Sequence, residues 1–302
     1  MRIGVDLGGT KIEAIALAGT GEIVARERVA TPRAYEPTLD AIAELVEAVE
    51  RIAGERGSVG VGIPGAVSPA TGLVKNANSV WLIGQPLGRD LESRLGRPVR
   101  LENDANCFAI SEASDGAAAG ERVVFGVIVG TGVGGGIVVD GRCLDGVNLI
   151  AGEWGHNPLP WMTADEFPGP ECYCGKRGCI EMFLSGPGFA RDYEAATGES
   201  LSSRDIVAKA QAGEARAVAN VDRYVDRLAR GLASVINLLD PDVVVLGGGM
   251  SNLPRLAGAV SVELPRYVFS DSVQTRIVRN RHGDSSGVRG AAWLWPLTQS
   301  LP

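Results

Sequence analysis

Three times along this chain a short apolar strand-like run ends in a cluster of glycines. Arg2 to Leu7 leads into Gly8-Gly9-Thr10, Val123 to Val129 into Gly130-Thr131-Gly132, and Asp242 to Leu246 into Gly247-Gly248-Gly249. Glycine lets the backbone turn sharply, approach a ligand and offer its N–H groups to phosphate oxygens. One such turn says little, because tight turns need glycine in any case. Three of them, each at a strand end, point to open α/β sheets whose strand C-termini line a ligand cleft. After the first turn, Ile12 to Leu17 and Glu22 to Val29 read as further strands of an antiparallel meander. After the second, Gly136 to Val139 is again a strand. The repeated order of strand, Gly-Thr turn and strand suggests two related halves.

Between these turns lie helical and strand patterns. From Thr38 to Ala53 the apolar residues Leu39, Ile42, Leu45, Val46, Val49 and Ile52 share one helical face, with Thr38 as N-cap and Gly54 as stop. Val59 to Ile63 and Val99 to Glu102 read as strands, and Ala105 to Ala119 as an Ala-rich helix. Ala217 to Leu239 reads as a long helix with Val218, Val221, Val225, Leu228, Leu232, Val235 and Leu239 as its buried stripe. Gly290 to Leu297 reads as a closing helix. Strands and helices mixed in this order give an α/β protein of two lobes around a cleft. The expected division is 1–118 and 119–287, with a C-terminal helix at about 288–302 packing back on the first lobe.

The 302 residues suffice for two such domains, and the net charge of −7 argues against a nucleic-acid partner. No apolar run is long enough to span a membrane, and the N-terminus runs straight into a strand pattern without a signal-like leader. A soluble, cytoplasmic protein is the expectation. In a reducing compartment, the clustering of three of the five cysteines at Cys172, Cys174 and Cys179 suggests metal before disulfides.

Several residues carry chemistry. In Asp6-Leu7-Gly8-Gly9-Thr10-Lys11 the backbone can cradle a phosphate and Asp6 can hold magnesium; a plain hairpin turn explains the same pattern. It lacks the spacing of a Walker A loop. Gly130, Thr131, Gly132 and Gly134 form the second turn, Gly247 and Gly248 the third. In Asn103-Asp104-Ala105-Asn106 the Asp104 carboxylate can accept the proton of an attacking hydroxyl, or can simply cap the following helix. The amides beside it can hold sugar hydroxyls. His156, Cys172, Cys174 and Cys179 offer one imidazole and three thiolates, a closed tetrahedral set for structural Zn2+. Buried thiols beside an unrelated histidine are the alternative. Cys107 and Cys143 lie in apolar segments and read as core residues. Glu153 and Glu181 flank the cluster, either as acceptors for sugar hydroxyls or as solvated surface acids.

Taken in this order, the motifs resemble the ROK family (repressors, open reading frames and kinases) over nearly the whole chain. Cys172-Tyr173-Cys174-Gly175-Lys176-Arg177-Gly178-Cys179-Ile180-Glu181 is the most specific of them. Lys75 to Ser79, Gly152 to Trp161 and His282 to Gly287 resemble the bacterial fructokinase and mannokinase branch. The resemblance implies an actin-like (ribonuclease H-like) ATPase fold and an ATP-dependent hexose kinase. Fructose is the first candidate substrate; mannose, glucose and N-acetylhexosamines are alternatives. It implies Asp104 as base, with Asn78, Asn103, Glu153, His156 and Glu181 at the sugar. His156 would serve both zinc and a sugar hydroxyl. ATP and Mg2+ would lie around Asp6, Gly8, Gly9, Thr10, Lys11, Gly130, Thr131, Gly132, Gly134, Gly247 and Gly248. A homodimer is implied too. The rival reading, a sugar-sensing repressor of the same family, needs a DNA-binding helix pair before the first glycine turn, and Asp6 leaves no room for one. No role emerges for the acidic, Pro-rich stretch from Trp161 to Glu171.

Overall fold

A computed structural model of the chain describes residues 1–295. In chain order it contains β1 (Arg2–Leu7), β2 (Lys11–Leu17), β3 (Ile23–Ala30), α1 (Tyr35–Ala53), β4 (Ser58–Ile63), β5 (Ala66–Val67) and β6 (Val74–Lys75). There follow α2 (Leu87–Leu95), β7 (Val99–Asn103), α3 (Asp104–Ser114), β8 (Val123–Val129), β9 (Val133–Val139) and β10 (Arg142–Cys143). The remainder comprises α4 (Ile180–Leu184), α5 (Gly186–Thr197), α6 (Ser203–Gln211), α7 (Ala215–Leu239), β11 (Val243–Gly247), α8 (Leu256–Glu263), β12 (Arg276–Arg279) and α9 (Ser286–Trp293).

The chain divides into two compact units. The first holds 1–120, 136–151 and the chain from Arg281 onward; the second holds 121–135 and 152–280. Residues 136–151, assigned by the sequence reading to the second lobe, thus group with the first.

In the first unit, the sheet order is β3-β2-β1-β4-β7. β1 pairs antiparallel with β2 and parallel with β4, which pairs parallel with β7. β1 and β4 are buried along almost their whole length, as befits strands covered on both faces. One covering layer is α1, whose Leu39, Ile42, Leu45, Val46 and Val49 are buried while Ile52 is exposed. The other is α9, which lies so close that a Cβ on Gly4 would collide with the Val288 carbonyl and one on Gly60 with that of Ala291. Only glycine admits this approach.

Two ends of α1 differ in legibility. Gly54 closes the helix in the left-handed region at φ 75°, donating to Glu50 O at 2.8 Å. Thr38 does not open it. The helix begins at Tyr35, and Thr38 is a buried interior residue whose hydroxyl donates to Pro32 O (2.9 Å) and Ala34 O (2.7 Å). The Ala-rich helix is likewise shorter than its composition suggests, ending at Ser114. α9 starts at Ser286, four residues before the expected Gly290. The expected continuation of this helix past 295 lies outside the described residues.

The second sheet has the order β10-β9-β8-β11-β12, with β8, β11 and β12 parallel. In the second unit α7 is the central helix. Its buried face is wider than the apolar stripe and includes Tyr224, Arg227 and Arg230, while Val218 is exposed. The Trp161 to Glu171 stretch is fastened here. Glu166 accepts from Arg227 Nε (2.7 Å) and from both terminal nitrogens of Arg230 (2.8 Å each). Trp161 stacks on Tyr267 at 5.6 Å between ring centroids. Burial alone would raise the Glu166 carboxyl; the hydrogen bonds from Arg230 and Arg227 outweigh it and hold the group at about 2.

Candidate functional site

In the first unit, β1 delivers Asp6 to the edge of its glycine turn, and α3 begins at Asp104. The turn is a hairpin, Gly8 N–H donating to Lys11 O at 3.0 Å, with Gly9, Thr10 and Lys11 exposed. Asp6 pairs across the sheet with Glu13. Burial, and then the charges of Asp104 and Glu13, push the Asp6 carboxyl up to about 6, with Lys11 opposing. Two acids therefore face a shared field at this corner, an arrangement that favours a cation or a proton.

The cap of α3 is Asn103, not Asp104. Asn103 Oδ1 accepts from the N–H groups of Ala105 (2.9 Å) and Asn106 (3.3 Å), and its Nδ2 donates to Gly65 O (2.9 Å). Asn103 is thus held to the chain at both ends of its amide. Asp104 sits one residue further on, its Oδ1 accepting from Ala105 N–H at 2.8 Å. The capping role that competed with catalysis for Asp104 belongs to its neighbour. Asn78 lies after β6, its Oδ1 accepting from the Ser79 hydroxyl at 3.4 Å.

Sequence reasoning missed the support behind this corner. Glu102 Oε1 accepts from Asn103 N–H (2.8 Å) and Asn106 Nδ2 (2.9 Å). Burial, then the neighbouring Asp145, leave it at about 7. Cys143 lies in this acidic group and is only half buried, which corrects its reading as a core residue; Cys107 is fully buried as read.

In the second unit, the second and third glycine turns come together. Gly130, Thr131, Gly249 and Met250 line one cavity of about 910 Å³ with the starts of α5 and α6. Its size suits a cofactor-sized ligand. Ser185 and Ser202 cap these two helices, accepting from Gly188 N–H (3.1 Å) and Asp205 N–H (3.2 Å). Helix N-termini of this kind offer N–H groups and a positive dipole end to anions. The Ser-Gly-Pro start of α5 was a readable cap signal that the glycine pattern overshadowed.

Glu181, at the start of α4, reaches the same loop. Its Oε2 accepts from Val133 N–H at 2.9 Å and lies so close to Gly132 that a Cβ there would come within 2.8 Å. Val133 immediately follows the Gly130-Thr131-Gly132 turn, whose own ring closes from Gly130 N–H to Gly132 O at 2.9 Å. Gly134 continues this segment within β9.

The clip is formed as its residues foretell. His156, Cys172, Cys174 and Cys179 present four donor atoms all within 4.8 Å of one another. Cys172 Sγ to His156 Nδ1 and Cys174 Sγ to Cys179 Sγ are each 3.6 Å. Tetrahedral Zn–S bonds of ~2.3 Å put ligand atoms about 3.7 Å apart, so the set fits a zinc ion. The Lys176 N–H lowers the Cys174 thiol to about 7, whereas burial pushes Cys179 up to about 12. One detail departs from expectation. The second nitrogen of His156, assigned to a sugar hydroxyl, is 2.9 Å from Tyr173 Oη. Burial, then the charges of Glu181, Cys172 and Glu153, push that phenol up to about 12. Glu153 is exposed, as a surface acid would be, whereas Glu181 is half-buried and held by Val133 N–H.

Among the described residues no helix is long and apolar enough to cross a membrane. The ROK family pattern matches residues 2–297. An N-acetyl-D-glucosamine kinase of Escherichia coli O6:H1 is 44% identical over 299 residues, spanning 97% of this chain and 99% of that one. A ROK hexokinase from Thermus thermophilus superposes with a TM-score of 0.86 at 37% identity, covering 97% of this chain and 96% of its own. A ROK family glucokinase from Streptomyces griseus, solved with glucose and AMPPNP, gives 0.78 at 30% identity, covering 97% and 98%. These relatives support a sugar kinase without supporting fructose in particular. The chain thus has the actin-like ATPase fold and belongs to the ROK family as a sugar kinase.

Proposed function

We propose that the protein transfers the γ-phosphate of ATP to a hexose hydroxyl, with Asp104 as general base. The observation that carries this reading is the start of α3, where Asn103 is the N-cap and the Asp104 carboxylate follows it directly, held by Ala105 N–H. Asp104 accepts the hydroxyl proton as the sugar oxygen bonds to phosphorus and the bond to ADP breaks. Asp6 would hold Mg2+, which supplies charge neutralisation on the phosphates when bound. The cavity beside Gly130 and Gly249 would take the nucleotide, its apolar wall including Val207 and Leu253. In the first unit, Asn78 and Asn103 are the residues proposed to contact sugar hydroxyls; in the second, Glu153 and Glu181 are the proposed hydroxyl acceptors. The Cys172, Cys174, Cys179 and His156 set would hold structural Zn2+, which cross-links the loop bearing Tyr173.

N-acetyl-D-glucosamine is the first candidate acceptor, because relatives of that activity share 44% of their residues with this chain end to end. D-Fructose is the second, favoured by the segment Gly152 to Trp161 that resembles the fructokinase branch. ADP release is the test, measured with ATP and Mg2+ across N-acetyl-D-glucosamine, fructose, mannose, glucose and no sugar. A clear lead for one sugar names the substrate. No stimulation by any sugar in folded, zinc-loaded protein would sink the catalytic reading.

A further inference from the structure

His156 uses both ring nitrogens. Nδ1 faces the thiols, 3.6 Å from Cys172 Sγ, and Nε2 lies 2.9 Å from Tyr173 Oη. The two rings meet edge to face, 5.1 Å between centroids and 89° apart. Tyr173 is 81% exposed, so burial does not explain why its ring stands here. Its backbone is pinned on both sides, because Cys172 and Cys174 each turn a thiol into the cluster.

A neutral imidazole carries one N–H. A nitrogen that ligates a metal must present a lone pair, so the hydrogen sits on the other nitrogen and needs an acceptor. In this chain that acceptor is the phenol oxygen. We propose that Tyr173 is a positioning residue for the metal clip: it accepts the Nε2–H of His156, fixing the tautomer and ring plane that turn the Nδ1 lone pair toward Cys172, Cys174 and Cys179. The proposal rests on the zinc reading of the cluster and adds a partner outside the four ligands.

Tyr173→Phe keeps the ring-to-ring contact and removes only the acceptor. The experiment measures zinc affinity of the whole protein by competition with a chromogenic chelator, for wild type and Tyr173→Phe. In parallel, long-range proton–nitrogen spectra are recorded on histidine-labelled protein. The chain has only two histidines, so His156 is readily assigned. Expected are an Nε2–H tautomer for His156 in the zinc-loaded wild type, and zinc affinity about 10–100-fold weaker in the variant. Zinc affinity equal within about twofold, alongside tight wild-type binding, would overturn the role of Tyr173 and leave the zinc reading standing. An Nδ1–H tautomer in the wild type would do the same without recourse to any variant. A lower KM for sugar with unchanged zinc affinity would also overturn it, showing that the phenol only competes with substrate for the ring. Failure of the wild type to bind zinc would remove both readings together.

Discussion

The two five-stranded sheets have the same order and do different things. β3-β2-β1-β4-β7 and β10-β9-β8-β11-β12 both place a leading strand between its hairpin partner and two parallel strands. The register makes the comparison residue by residue. Gly4-Val5-Asp6-Leu7-Gly8 in the first corresponds to Gly126-Val127-Ile128-Val129-Gly130 in the second. Asp6 pairs with Gly62, and Ile128 with Gly247. Where one copy presents an acid to its turn, the other presents an isoleucine. The first copy thus concentrates charge, with Asp104 beginning the helix that follows β7. The second leads to a cavity lined by its glycine turns and by α5 and α6. One scaffold serves both tasks because the strand ends and the turns after them, not the sheet order, carry the chemistry.

The sharpest break in this comparison is expected at Asp104. Asp104→Asn should lower kcat by about 10²–10⁴-fold while calorimetry shows sugar binding retained within a few-fold. Near-normal turnover would move the base elsewhere. The second unit should respond in the opposite way. Glu166→Gln removes the carboxylate shared by the buried Arg227 and Arg230, leaving Asp192 and Asp226 as their only acidic partners, and should cost roughly 2 kcal/mol of stability, read from denaturant melts, with kcat unchanged. Because Glu166 is held well below an unfolded carboxyl, its stabilising effect is present above about pH 4.5 and fades as pH falls toward 2. The variant should lose that acid limb.

Copying one sheet into the other sharpens the contrast further. Asp6→Ile should reduce Mg2+-dependent turnover by about 100-fold, whereas Ile128→Val should cost only ~1 kcal/mol of stability and no activity. In the wild type Asp6 is raised to about 6, so its anion is lost as pH falls through that value. Apparent Mg2+ affinity should therefore drop about tenfold per pH unit below 6, and Asp6→Asn should abolish the slope. The smallest effect belongs to the cap. Asn103→Ala should cost about 1 kcal/mol, and Asn103→Asp, which keeps the cap acceptor but sets an oxygen against the Gly65 carbonyl, a similar amount.

The glycine turns and the Cys/His cluster were legible because each depends on local spacing, whereas the acid corner joins Asp6 to Asp104 from far apart in the chain. Cys172 to Cys179 closes within eight residues, and Asp104 follows its strand directly. What escaped depended on partners distant in sequence. Arg227 and Arg230 look like solvated charges on a helix until Glu166, 61 and 64 residues away, is seen against them. Thr38 looked like a cap because its residue type favours one, but it lies within the helix, and Pro32 and Ala34 just before the helix accept from its hydroxyl. Tyr173 carried no signal at all, since its contact with His156 exists only once the clip has closed.

The approach of α9 to Gly4 and Gly60 has a consequence for how this chain is born. The first strands leave the ribosome nearly three hundred residues before the helix that covers them. Throughout translation, one face of the nascent sheet waits, bare and glycine-lined, for a segment not yet made. A tag, truncation or stalled synthesis that disturbs residues 286–293 would therefore strike the oldest part of the molecule, far upstream in sequence from the damage.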